Sequence, residues 1–138
     1  VSGPAWLDRE WSSQPLTASQ TGWDWFSLHL DSGEHLMLYR MRQKEGAPYL
    51  TGTWIGADGQ TQTLHSEQIK LVAQDTAKVA GRAMPVRWTI SIPDKHLDIS
   101  LSALNPNAWM DLRIPYWEGP VRVSGSHGGK GYLEMTGY

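Results

Sequence analysis

The strongest constraint on this chain is a period of two. Across residues 22–31, "GWDWFSLHLD", Asp24, Phe26, Leu28 and Leu30 fall on one side, and Trp23, Trp25, Ser27 and His29 on the other. Successive side chains of a strand point to opposite faces, so this alternation predicts a half-buried strand rather than an amphipathic helix. "DSGE" at 31–34 reads as a turn. Residues 34–43, "EHLMLYRMRQ", then read as the return strand, with His35, Met37, Tyr39 and Met41 opposed to Leu36, Leu38, Arg40 and Arg42.

The same grammar continues along the chain. Residues 49–65 give a strand, an "ADG" turn and a second strand, whereas 67–73, "EQIKLVA", fits a strand or a short helix equally well. In 85–93, Val86, Trp88, Ile90 and Ile92 alternate with Arg87, Thr89 and Ser91. A "PDK" turn leads into 96–104, where Leu97, Ile99, Leu101 and Ala103 point inward. Residues 108–114 form another short strand candidate, 115–121 reads as a loop, and "GGKG" joins a final strand pair. About nine or ten strands with short turns predict an all-β fold, an antiparallel up-and-down β-barrel, as a single domain over 1–138 with more than about 40% strand. The 85–104 hairpin is expected among its best-ordered parts, and no long amphipathic helix, internal repeat or linker interrupts the pattern.

Composition removes several function classes. The 138 residues carry 12 Lys+Arg against 14 Asp+Glu, a net charge of −2, which offers no basic surface for nucleic acid. The apolar runs are too short to span a membrane. There is no cysteine, hence no disulfide, thiol chemistry or Cys-based zinc site. The chain starts at Val1 with no leader, which suggests a fragment of a longer protein. Eight Trp and five Tyr against one Phe favour rings that carry a polar handle, suited to cavity walls and interfaces as much as to cores.

The catalytic signatures HExxH, GxSxG, GxGxxG and the phosphate-binding loop are absent, and "GSHGGKG" at 125–131 reads as a hairpin turn. Of five histidines, His29 and His35 flank the first hairpin and can meet across it, but three convergent donors for a metal are not indicated, and no cofactor is expected. "WLDREW" at 6–11, as a strand, puts Trp6, Asp8 and Glu10 on one face and Leu7, Arg9 and Trp11 on the other. Asp8 and Glu10 would lie ~6–7 Å apart, spaced for a general-acid pair with one raised pKa. The leading alternative pairs them with arginines, Arg40 and Arg42 first, because a carboxylate beside indoles needs a partner; a third leaves them in water. Trp88 reads as core. Trp23 and Trp25 line a ligand pocket if their face is the lumen, or form an interaction patch if it is the outside.

"AWLDREWSSQPL", "GWDWFSLHLDSGEHLMLYRMR" and the ending "GYLEMTGY" resemble the C-terminal lipocalin-like domain of the AttH family, over nearly the whole chain. That family is similar to the carotenoid 1,2-hydratases (hydroxyneurosporene synthases), and its members are often labelled predicted secreted hydrolases. The resemblance implies a parent with two lipocalin-like β-barrels, of which this is the second, packed on an N-terminal domain. It also implies export in bacteria, to the periplasm or beyond, and an association with an ABC transporter system. In the hydratases an acid protonates an isoprenoid double bond and water captures the cation. Here Asp8 and Glu10 beside Trp6, Trp11 and Trp25 offer the residue types for that chemistry, although "LMLYRMR" sets arginines where a pocket acid would stand. Three functions follow. One is a binding domain for an apolar or amphipathic small molecule, with Trp6, Trp11, Trp23, Trp25, His29 and Tyr39 as its lining. The second is an enzyme, a hydratase or hydrolase, with Asp8 and Glu10 catalytic. The third is a structural domain that packs on the missing N-terminal one.

Overall fold

The computed structural model describes residues 2, 3, 5, 7 and 16–138. Trp6, Asp8, Glu10 and Trp11, and with them the "WLDREW" strand, lie outside the described residues. Twelve strands follow in order: β1 (Gln20–Leu30), β2 (His35–Gln43), β3 (Tyr49–Ile55), β4 (Thr61–Leu64), β5 (Lys70–Ala73), β6 (Thr76–Val79), β7 (Arg82–Pro85), β8 (Arg87–Ile92), β9 (Leu97–Ala103), β10 (Trp109–Met110), β11 (Tyr116–Gly125) and β12 (Gly129–Thr136). More than half of the described residues are in strands.

Ten of the strands form one antiparallel sheet in the order β4-β3-β2-β1-β12-β11-β9-β8-β5, with β10 added beside β11. This is the predicted lipocalin-like up-and-down order, and the first and last strands meet as β1–β12 neighbours. The sheet curls into a half-barrel: β4 and β5 end it on either side and are not paired with each other. Its concave side is filled. Phe26 of β1 meets Trp88 of β8 edge to face, with centroids 5.3 Å apart, although four ladders of the sheet separate them. Leu28, Leu36, Leu38, Ile90, Ile99 and Leu133 close the same core, all at most 1% exposed. The period of two separates the faces as predicted, and Trp88 is core as expected; the structure turns the face of Asp24, Phe26, Leu28 and Leu30 inward. The face bearing Trp23, Trp25, Ser27 and His29 is the outside of the curl, opposite the core cluster.

Three segments differ from their sequence reading. Of residues 115–121, expected as a loop, 116–121 are the first half of β11. Pro115, Gly119 and Pro120 disguise it, yet each is accommodated. The Pro120 carbonyl accepts from the Leu104 N–H, so the proline nitrogen faces the side where β9 is leaving the sheet and no ladder bond is lost. A Cβ at Gly119 would come 2.8 Å from the Ala108 Cβ, so glycine is what lets the 108 segment lie against the strand. Next, 67–73 is both alternatives in turn, a 3-10 turn at Ser66–Gln68 followed by β5. Finally, the β6–β7 hairpin was not legible, because its turn places Ala80 (φ 49°) and Gly81 (φ 81°) in the left-handed region without the usual Asn-Gly signal.

At the rim of the core lies a polar knot. Asp24, fully buried, receives Arg40 Nε at 2.8 Å and the Tyr138 hydroxyl at 2.7 Å, and Arg42 Nε stands 3.4 Å away. Arg42 also donates to the Thr136 carbonyl and lies over the Tyr138 ring, 3.8 Å from its centroid, while Arg40 lies 4.8 Å from that of Trp88. The arginines anticipated as partners for Asp8 and Glu10 are therefore held by Asp24. Removing one partner of a buried ion pair strands the others without solvent, so Asp24→Ala is expected to cost about 3–5 kcal/mol in urea melts; a loss under about 1 kcal/mol would mean that water takes over the arginines. The same knot has an alkaline signature. Burial first, then the Asp24 charge, raise Tyr138 above its ordinary 10.0. The folded chain keeps a proton the unfolded chain has released, so this stabilisation is complete below pH 10.0 and is lost as the pH climbs from there toward the raised folded value. Melts across that range should show the wild-type chain losing stability faster than Tyr138→Phe.

Candidate functional site

Because β11, β12, β1 and β2 are in register, their outward side chains line up in rungs across the convex face. One rung reads Glu118, Glu134, Trp25, Tyr39. The next reads Pro120, Tyr132, Ser27, Met37, and the third Arg122, Lys130, His29, His35. A groove of about 710 Å³ runs over the part of this lattice formed by β1, β11 and β12. Its floor holds Trp25, Ser27 and His29 of β1 with Lys130, Tyr132 and Glu134 of β12. Glu118 and Pro120 of β11, with Leu104 and Ala5, complete the walls.

Each rung has its own chemistry. Glu118 and Glu134 face each other directly across two strands, an arrangement that like charges disfavour unless something offsets it. A donor supplies part of the offset: Trp23 Nε1 gives a 2.6 Å hydrogen bond to Glu134 Oε1. Burial, then the Glu118 and Glu134 charges, raise the Tyr116 hydroxyl above its ordinary 10.0; burial, then Glu118, do the same to Tyr132, so both remain protonated donors at neutral pH. In the middle rung Ser27 is 1% exposed and its Oγ has no hydrogen-bond partner. In the third, His29 packs against His35 at 4.6 Å between centroids and 78° between planes, and the buried His35 Nδ1 has no hydrogen bond.

Of the residues expected to line a site, Trp25 and His29 line this groove. Trp23 stands at its acidic end and borders a second, apolar hollow of about 320 Å³ with Leu16 and Ile114. Tyr39 is opposite Trp25 in register but outside the lining. Trp6, Trp11, Asp8 and Glu10 are outside the described residues. The sequence reading missed Glu118, Lys130, Tyr132 and Glu134. The signal was there: in both β11 and β12 alternate positions are polar or charged, but reading 115–121 as a loop hid Glu118 and broke the register that pairs it with Glu134. Among the described residues no three His, Asp or Glu side chains converge as a metal site would require.

His29 titrates below its ordinary 6.5, because burial first, then His35, then Lys130 disfavour its charged form. The unfolded chain takes up that proton more readily, so the stability involved is present above pH 6.5 and is lost as the pH falls through the folded value. An NMR titration should therefore place the His29 midpoint below 6.5, and His35→Gln should move it part of the way back; an unmoved midpoint would remove His35 as a cause.

Comparison with known proteins agrees with this architecture. The profile of the AttH-like family matches residues 1–138. A crystal structure assigned as an AttH from Nitrosomonas europaea superposes with a TM-score of 0.82 at 29% identity, over 93% of this chain and 42% of that one. The kievitone hydratase from Nectria haematococca superposes with a TM-score of 0.71 at 20% identity, over 88% of this chain and 41% of that one, which is a likeness of fold. The chain thus spans less than half the length of either structure. No curated protein sequence matches it. No helix among the described residues is long and apolar enough to cross a membrane.

Proposed function

The chain belongs to the AttH-like family, and on that premise we propose that its convex groove binds a small amphipathic molecule. The observation that carries this reading is the groove itself. Its volume of about 710 Å³ falls within the range of small-molecule sites, ~300–1,000 Å³, and its walls combine apolar surface with a few convergent polar groups. Trp25, Tyr132, Leu104 and Pro120 offer surface for an apolar body, while Glu118, Glu134, Ser27 and Lys130 offer acceptors and donors. The filled half-barrel supports the same placement, since its interior has Phe26 and Trp88 where a lumenal ligand would sit. The family resemblance adds an exported bacterial setting, which suits capture of an amphipathic compound outside the cytoplasm.

A second reading rests on a separate observation. Leu7, Leu104, Leu112 and Ile114 are more than half exposed, and the related structures are over twice as long as the part this chain matches. Under that reading the exposed apolar side chains pack on a companion domain, and the groove lies beside that joint.

Titration with anilinonaphthalene sulfonate, followed by fluorescence, tests the binding reading. Saturable binding that weakens at least about tenfold, or about 1.4 kcal/mol, in Trp25→Ala supports it. Tyr49→Ala, on β3 away from the groove, is expected to leave binding unchanged. Absence of saturable binding, or equal binding by Trp25→Ala, would turn the choice toward the joint.

A further inference from the structure

The groove has a buried hydroxyl in its floor with nothing to bond to. Ser27 of β1 is 1% exposed, and its Oγ has no hydrogen-bond partner among the described residues. His35 Nδ1, Arg42 Nε and Trp88 Nε1 are buried and unbonded as well. None of those residues lines the groove or the apolar hollow, and Arg42 Nε has the Asp24 carboxylate 3.4 Å away. Among the described residues, Ser27 alone joins an orphaned polar atom to a concave surface.

The neighbours of Ser27 make a recess around it. Trp25 and His29 flank it along β1 on the same face, and Tyr132 of β12 and Met37 of β2 stand opposite it in register. A small side chain surrounded by large ones is the low point of the lattice. Packing does not explain why that side chain carries a hydroxyl. Alanine has almost the same volume and no polar atom to desolvate, so it would fill the position at lower cost. The hydroxyl is accounted for when something in the groove bonds to it. The ends of the groove do not make the choice by charge, because Glu134 and His29 already have partners.

We propose that Ser27 is the specificity-determining residue of the groove, which takes an uncharged, mainly apolar compound whose alcohol or carbonyl oxygen hydrogen-bonds to the Ser27 hydroxyl. This rests on the reading of the groove as a small-molecule site and names the class of molecule it takes. The Ser27 rung lies between the other two, so the oxygen stands near the middle of the molecule rather than at its end. The apolar frame lies on Tyr132, Pro120 and Leu104. The oxygen reaches the recess past Tyr132, the 37% exposed ring opposite Ser27. A hydrocarbon of the same shape leaves the hydroxyl buried and unbonded, so it forgoes what the oxygen compound gains.

Benzhydrol, benzophenone and diphenylmethane are the probes: two rings joined at a carbon that bears a hydroxyl, a carbonyl oxygen or no oxygen. Their affinities are followed by NMR shift perturbation of the 138-residue chain, as wild type and as Ser27→Ala. The quantity read is the affinity of each oxygen compound relative to diphenylmethane, because the compounds' different hydration in water is the same for both proteins and cancels. For benzhydrol, benzophenone or both, that ratio is expected to fall about tenfold in Ser27→Ala. Diphenylmethane should bind the variant at least as tightly as the wild type, which shows the groove intact. Thermal melts should find the variant no less stable, since a buried hydroxyl without a partner has been removed. A clearly lower melting temperature would show that the hydroxyl serves the fold and would overturn the proposal. Ratios unchanged by the substitution, with shifts confined to the groove, would overturn the role of Ser27 while leaving the groove a binding site. No binding by any of the probes would overturn both.

Discussion

The contact between Phe26 and Trp88 decides what kind of lipocalin-like domain this is. Two large rings from strands far apart in the sheet meet edge to face at 5.3 Å, and the branched aliphatic residues of β8 and β9 pack in around them. Around that contact the described residues of the concave side pack into one hydrophobic cluster. The interior is a packed core, and any recognition of small molecules moves to the convex face, where the polar half of each strand's alternation is displayed. The curl also explains why the ring can stay open between β4 and β5: the halves are held by their side chains rather than by a last ladder of hydrogen bonds.

The Asp24 knot complements that core. A carboxylate on the apolar face of β1 is costly to bury, and Arg40, Arg42 and Tyr138 together satisfy it. Such an arrangement seldom adds much net stability over a hydrophobic equivalent, but it is specific. It requires β2 beside β1, and it requires β12 on the other side of β1, so that Tyr138, just beyond β12, meets Arg42. The knot therefore checks the topology at the point where the first and last strands meet.

That meeting also creates the groove. β1 and β12 are neighbours only because the sheet comes round to its start, and their pairing sets Trp25 beside Glu134, Ser27 beside Tyr132 and His29 beside Lys130. A slip of one residue in that register would put Leu133 or Met135 where Glu134 stands and a glycine where Lys130 stands, and send the charges into the core, so the apolar residues of β12 fix the geometry of the polar ones. Core packing and site geometry are two faces of one constraint.

The sequence by itself determined the strands, their faces and most of their turns, because side-chain alternation is a local property that survives without any knowledge of partners. Asp24, Phe26, Leu28 and Leu30 could be placed on one face, and Trp88 in the core, from spacing alone. The stretches that carry the family resemblance likewise belong to the chain itself, and the family was legible from them. The tertiary structure alone decided which face is inside. An alternation has the same period whether its polar side lines a lumen or meets solvent, and only the closure of β1 onto β8 makes the difference. It alone joined Glu118 to Glu134 and Ser27 to Tyr132, because residues on separate strands become neighbours through register, and register is set by the packing of both strands against a common core. Arg40 and Arg42 were recognisable as cations in want of an acid, but Asp24 lay hidden as their partner among apolar neighbours, since a buried carboxylate and an exposed one are the same letter until the fold surrounds it.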